Sequence, residues 1–191
     1  MPISNFDGET FVAFVDISGF KRLMKDENRA LKALDKLYQY GYEVIKKNRQ
    51  STGPSVEGFF VSDSGILFIR NCLDKIECLK VLLIAVRELN KRMLNHGFKL
   101  TTSIAYGHFK YQERIEFKGI EKNLIYGNAY VSAFLDNEGG KPKIQPGQCR
   151  IVKKNLPKEI IKFIENNDDE ISRMIRKRKN DNNHYYFYWD C

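Results

Sequence analysis

The 191-residue chain is poor in the residues that anchor metal and disulfide chemistry. Its four cysteines (Cys72, Cys78, Cys149 and Cys191) form no CxxC pair and no zinc-ligand spacing. That argues against a structural zinc site and predicts reduced thiols in a cytoplasmic protein. The three histidines, His96, His108 and His184, share no ligand spacing either and are expected at the surface or at strand ends. Long apolar runs are missing. "VLLIAV" (81–86), bounded by Lys80 and Arg87, is far shorter than a membrane span and reads as the buried face of a helix. The opening residues "MPISNFDGET" lack a basic segment followed by an apolar one, so no secretory leader is expected. No internal repeat or low-complexity linker divides the chain, and one domain spanning 1–191 is predicted.

Hydrophobic residues make up 42% of the chain and aromatic residues 13%, enough to bury a core. The formal net charge of +8 favours an anionic partner such as a nucleotide, a polyphosphate or a nucleic acid. Five cations cluster in "RMIRKRK" (173–179), but few aromatics interleave with them. A solvated helix face is the simpler reading, so neither a stable nucleic-acid partner nor a membrane is predicted.

Periodicity gives the order of elements. Residues 10–17 are rich in Phe and Val and read as a central strand. Leu34, Leu37, Gly41 and Val44 share one face of a helix over 27–48. Strands near 55–62 and 65–70 flank a tight turn at Asp63-Ser64-Gly65. A second long helix over 74–95 has Asp74 as N-cap and Gly97 as its stop. A strand over 98–109 follows, with a hairpin partner near 112–117. Further on come a short helix at 127–136, a strand at 149–154, helices at 157–167 and 169–178, and a closing strand at 184–189, whose aromatic "YYFYW" suits a core or edge strand. Strand, helix, strand, strand, helix, strand is the split βαββαβ unit. The fold class is therefore α+β with a ferredoxin-like core, an antiparallel sheet carrying helices on one face.

That topology brings two acids together. Asp16 ends the first strand and Asp63 sits in the neighbouring hairpin turn. Two close carboxylates repel unless a cation lies between them. Oxygen ligands favour Mg²⁺ or Mn²⁺, which complete their shells with water and substrate phosphates. The stretch Ser18-Gly19-Phe20 after Asp16 is a candidate phosphate-binding turn.

These residues resemble the catalytic core of the class III nucleotidyl cyclases. "FVDISGF" (14–20) resembles that family's first metal motif and "FFVSDSGILF" (59–68) its second. "TTSIAYGHF" (101–109) matches the strand that ends in Gly, and "YGNAYVSAFLDN" (126–137) resembles the segment opening the dimer-interface helix. The likeness covers about 10–153, leaving 154–191 as a C-terminal extension. It implies a homodimer with two divalent ions per site, held by Asp16, Asp63 and the carbonyl of Ile17. The amides of Ser18, Gly19 and Phe20 would face a nucleoside triphosphate. The ribose 3′-hydroxyl would attack the α-phosphorus and pyrophosphate would leave.

The chain also departs from the family. Phe59 stands where the purine cyclases place a lysine, Leu124 roughly where they place an aspartate, and Val131 and Leu135 where an asparagine and an arginine serve the transition state. A replacement cation could come from Arg114, Lys118, Lys122 or Arg150. The bacterial pyrimidine cyclases of the Pycsar anti-phage systems are similar in these departures, in the "SDS" motif, in an aromatic near the base (here Phe59) and in an "RIV" strand (Arg150-Ile151-Val152). This resemblance implies cyclisation of UTP or CTP to a second messenger read by a separate effector protein. Two other readings stay open: a purine cyclase with atypical base readers, and a silent module that binds a nucleotide or RNA.

Overall fold

The computed structural model describes residues 4–117 and 120–190, and the side chains of 4–113 and 124–190. In chain order the elements are β1 (Phe6–Ile17), α1 (Phe20–Leu23), α2 (Glu27–Lys47), β2 (Ser55–Val61), β3 (Ser64–Arg70), α3 (Lys75–Asn95), β4 (Leu100–Phe117), β5 (Ile120–Tyr126), α4 (Asn128–Gly139), β6 (Cys149–Val152), α5 (Lys158–Asn166), α6 (Glu170–Arg173), β7 (Ile175–Arg178) and β8 (Asp181–Phe187). They build one mixed sheet in the order β2-β3-β1-β4-β6-β8-β7, with β5 paired to β4. The β2-β3-β1-β4 portion is antiparallel throughout, as the ferredoxin-like unit requires, and β6 joins β4 in parallel.

Alternation along β1 decides which helix covers which face. Phe11, Ala13, Val15 and Ile17 point into the core beneath α2 and α3. Val12 and Phe14 point the other way, into a second cluster with Phe59, Ile66, Phe68, Ala129 and Ala133, where α4 packs. The two long helices form as their stripes and the Asp74 cap predict, and the structure adds a cap at Asp26. Asp26 accepts from the amide of Arg29 at 3.1 Å and starts α2, which buries Ala30, Ala33, Leu37, Gly41 and Val44. Asp74 accepts from Ile76 and Glu77 and starts α3, and Gly97, at φ 79°, follows its end. Gly41 has no room for a side chain, because a Cβ there would meet the Phe60 ring.

Four expectations change. β4 continues through 112–117 as one long strand, and its hairpin partner is β5. "RMIRKRK" is not a helix face: α6 stops at Arg173, and Ile175–Arg178 pairs with β8 as the sheet's edge. His184 is 3% exposed, held in the interior by cross-strand neighbours. Cys72 and Cys78 are joined in a disulfide across the β3–α3 connection, with Cα atoms 5.7 Å apart; their spacing of six residues hides this, because only the connection's path brings them together. Cys149 is a buried free thiol, and Cys191 lies outside the described residues. No helix among the described residues is long and apolar enough to cross a membrane.

Candidate active site

Asp16 and Asp63 lie on adjoining parts of the sheet, the tip of β1 and the turn between β2 and β3. Asp16 is the penultimate residue of β1, in register with Ser64 on β3 and Thr101 on β4. Asp63 immediately precedes β3, and its carbonyl accepts from the amide of Ile17 at 3.0 Å, which ties the hairpin turn to the tip of β1. Ser64 Oγ donates to Asp16 Oδ1 at 3.0 Å. Asp16 belongs to the β1 face that α4 covers, so the end of α4 contributes to the same corner. Thr101 Oγ1 donates to Asn137 Oδ1 at 3.1 Å, and Glu138 is the next residue.

The electrostatics of this corner are one-sided. The Asp16 carboxyl is pushed up to about 6, first by burial and then by the charges of Asp63 and Glu138; only the Ser64 hydroxyl opposes them. Among the described residues no protein cation compensates Asp16, and its Oδ2 has no hydrogen-bond partner there. No group of three or more His, Cys, Asp or Glu gathers as a metal cage among the described residues. The donor set is therefore the open two-carboxylate kind. That suits Mg²⁺ or Mn²⁺, which take one or two protein carboxylates and leave coordination sites for water and phosphate.

Other expected site residues divide. The turn Ser18-Gly19-Phe20 does follow the acid, with Gly19 at φ 73° where a side chain would strain the backbone. Ser18 leaves the expected set of phosphate-facing amides, because its N–H donates to the carbonyl of Lys99 at 2.9 Å. Gly19 and Phe20 keep amides outside the backbone hydrogen-bond pattern. Phe59 is 6% exposed and packs on Tyr111 with ring centroids 5.6 Å apart, so the ring expected to stack on a base is a core side chain.

Of the candidate cations, Lys118 lies outside the described residues, as do the side chains of Arg114 and Lys122. Arg150 is fully buried and fully engaged. Its Nε donates to Asp136 Oδ2 at 2.7 Å, and its Nη2 to Asp136 Oδ1 at 2.9 Å and Asp136 O at 2.8 Å; Nη1 donates to Pro142 O. It cannot reach a phosphate. Instead it heads a network that the sequence did not reveal. His184 Nε2 lies 2.7 Å from Asp136 Oδ1 and its Nδ1 2.8 Å from Asp181 Oδ2, while Ser103 Oγ donates to Asp136 Oδ2 at 2.7 Å. Burial works to raise the Asp136 carboxyl, but His184, Arg150 and Ser103 outweigh it and hold it below its ordinary value. The network bolts the C-terminal end of α4 onto β4, β6 and β8, and so fixes the corner beside Asp16.

The fold resembles those of solved guanylyl and adenylyl cyclase domains. No family model and no curated protein matches the sequence. Solved structures do match. The monomeric guanylyl cyclase domain of the RhoGC fusion protein from Blastocladiella emersonii, as a double mutant, aligns with TM-score 0.66 at 11% identity, covering 97% of each chain. The guanylyl cyclase Cya2 aligns with TM-score 0.57 at 15% identity over 97% of this chain and 93% of its own. The guanylate cyclase domain of RhGC from Catenaria anguillulae, solved with GTP, aligns with TM-score 0.57 at 11% identity over 78% and 80%. At these identities the likeness is one of fold.

Proposed function

We propose that this chain is a nucleotidyl cyclase that converts UTP or CTP to the 3′,5′-cyclic nucleotide and pyrophosphate. One observation carries the reading: Asp16 at the strand tip and Asp63 in the adjoining hairpin turn lie close enough for the Asp63 charge to act on Asp16, and among the described residues no protein cation balances it. Two divalent ions held by Asp16, Asp63 and the carbonyl of Ile17 would lower the pKa of the attacking hydroxyl and neutralise the leaving pyrophosphate. The ribose O3′ forms a bond to the α-phosphorus, the bridging α–β P–O bond breaks with its electrons going to pyrophosphate, and the hydroxyl proton passes to solvent. Asp16 and Asp63 orient the reacting groups, and the free amides of Gly19 and Phe20 receive phosphate oxygens.

The base assignment rests on what is absent. A lysine read as a purine contact in the family is replaced by the buried Phe59, and Leu124 stands where an acid is expected. A homodimer is supported by Val131 and Leu135, one turn apart on α4 and 44% and 58% exposed, a greasy strip facing outward. Within the same proposal the product is an anti-phage signal, made in the cytoplasm and read by a separate effector. Incubation with each of the four nucleoside triphosphates and Mn²⁺, beside Asp63→Ala, tests the activity by product analysis. Cyclic UMP or cyclic CMP from wild type alone is expected. Purine products only would overturn the base assignment, and no product from any triphosphate would overturn the cyclase reading.

A further inference from the structure

The closing strands end in an edge that the cyclase chemistry does not use. β7 is the last strand of the sheet, and β8 is its only ladder partner among the described residues. An edge strand pairs on one side only, so on the other its alternate N–H and C=O groups face outward, open to another extended chain. Alternation divides its side chains between two faces. Ile175 is buried in the cluster that holds Ile160 and Ile164 of α5. Arg176 is in register with Tyr186 and shares the opposite face with Arg178, whose guanidinium lies 3.8 Å from the centre of the Tyr186 ring. Two recesses border the strand. One, of about 630 Å³, is lined by Ile164 and Ile175, the other, of about 520 Å³, by Met174 and Tyr188, and Arg176 lines both.

The charge along this edge has one sign and is largely unneutralised. Arg173, Arg176, Lys177, Arg178 and Lys179 are all cationic, and all but the half-buried Arg178 are exposed. Neutral groups hold the guanidiniums in place. Arg173 donates to the carbonyls of Asn167 and Asp168, Arg176 to Asn167 Oδ1 at 3.0 Å, and Arg178 to the Tyr188 hydroxyl at 3.3 Å. Of the five, only Lys177 meets a carboxylate among the described residues, that of Glu165 at 2.7 Å. Like charges repel a second copy of this edge and favour a strand of the opposite sign. Single-stranded nucleic acid is a poorer match, because it needs open aromatic faces for its bases. Those faces are taken here: Lys153 and Lys177 lie over Tyr185, and Arg178 over Tyr186 and Tyr188.

We propose that β7 is a docking edge for an acidic, extended peptide segment of another protein, which joins the sheet as a further strand. Main-chain hydrogen bonds to Ile175–Arg178 supply the pairing, and alternate side chains supply the selection. One row, acidic, faces Arg176 and its neighbouring cations. The other row, apolar, enters the recess at Ile164 and Ile175. This surface stands apart from Asp16 and Asp63, so the proposal does not depend on the cyclase reading.

A fluorescein-labelled peptide of alternating glutamate and valine tests this on the full chain by anisotropy, with backbone amide NMR shifts locating the contact. Two isomers of the peptide carry N-methyl groups on one or the other set of alternate amides, and an oligouridylate of equal charge is the nucleic-acid control. The parent peptide should bind and shift the amides of Ile175–Arg178. One N-methyl isomer, methylated on the set that faces β7, should bind about 10-fold or more weakly, and the other should keep the parent's affinity, because only one set of amides reaches the ladder. Arg176→Glu should weaken binding about 10- to 100-fold with an unchanged melting temperature, since its side chain is exposed. Arg176→Gln, which can still donate to Asn167, removes the charge alone and should also weaken binding. No binding of the parent peptide, equal affinity of the two isomers, shifts confined to residues outside β7, or tighter binding of the oligouridylate would each overturn the proposal.

Discussion

Replacing Asp16 by Asn should make the metal-free protein more stable at pH 8. The Asp16 carboxyl titrates near 6 in the fold against an ordinary 3.8, because burial and then the Asp63 and Glu138 charges penalise its ionised form beyond what Ser64 recovers. Linkage sets the sign. Below pH 3.8 the group is protonated in both the folded and unfolded chain and costs nothing. Between 3.8 and about 6 the unfolded chain gives up its proton first, so stability falls as pH rises; above about 6 the whole cost is present. The gap from 3.8 to about 6 corresponds to about 3 kcal/mol. Asp16 keeps some contact with water, and Asn must itself be desolvated, so the net gain should be about 1–2 kcal/mol. In a domain of this size that is a rise of about 2–8 °C in melting temperature. Asn retains an Oδ1 acceptor for Ser64, which makes the change a test of charge rather than of packing. The assay is thermal melting in EDTA from pH 4 to 8.5 for both proteins. Their difference should be near zero at pH 4 and grow to its full value above pH 6.5. Mn²⁺ should then stabilise wild type and leave Asp16→Asn unmoved, since only the former binds it. If Asp16→Asn melts at or below wild type at pH 8 in EDTA, the argument for an uncompensated acid at this corner fails.

Asp63→Ala should abolish product formation while leaving the metal-free melting temperature within about 2 °C, because Asp63 is tied to the fold through its carbonyl and not its carboxylate. Arg150→Met strands Asp136 in the interior beside His184 and should cost about 3–5 kcal/mol in urea denaturation; a loss under about 1 kcal/mol would mean the network is not what holds α4. Gly58→Ala should lower the denaturation midpoint by the equivalent of about 1–3 kcal/mol, since its Cβ would drive into the Ile66 carbonyl across the β2–β3 ladder.

Much of the fold was legible because it is written in local spacing. The helical stripes of α2 and α3, the Asp74 cap, and the turn at Asp63 are each patterns within a few residues. The pairing of Asp16 with Asp63 was also reachable, since one hairpin in a known strand order brings them together. The edge strand β7 was not. "RMIRKRK" carries no alternation strong enough to mark a strand, and it becomes one only because β8 supplies its ladder. Phe59 illustrates the same limit: a Phe in a strand is read by residue type, but whether its ring meets a base or Tyr111 depends on what the opposite strand places beneath it.

By itself the sequence determined the order of elements, the acid at the tip of the first strand and the glycine turn that follows it, because these follow from backbone preference and periodicity over short spans. Only the tertiary structure decided which charges find partners. Arg150 and His184 vanish into a network with Asp136 and Asp181, drawn from α4, β6 and β8, whereas the exposed Arg22 folds its guanidinium over Gly19. The physical reason is that a side chain's electrostatic role is set by distance and burial, and both are properties of elements far apart in the chain.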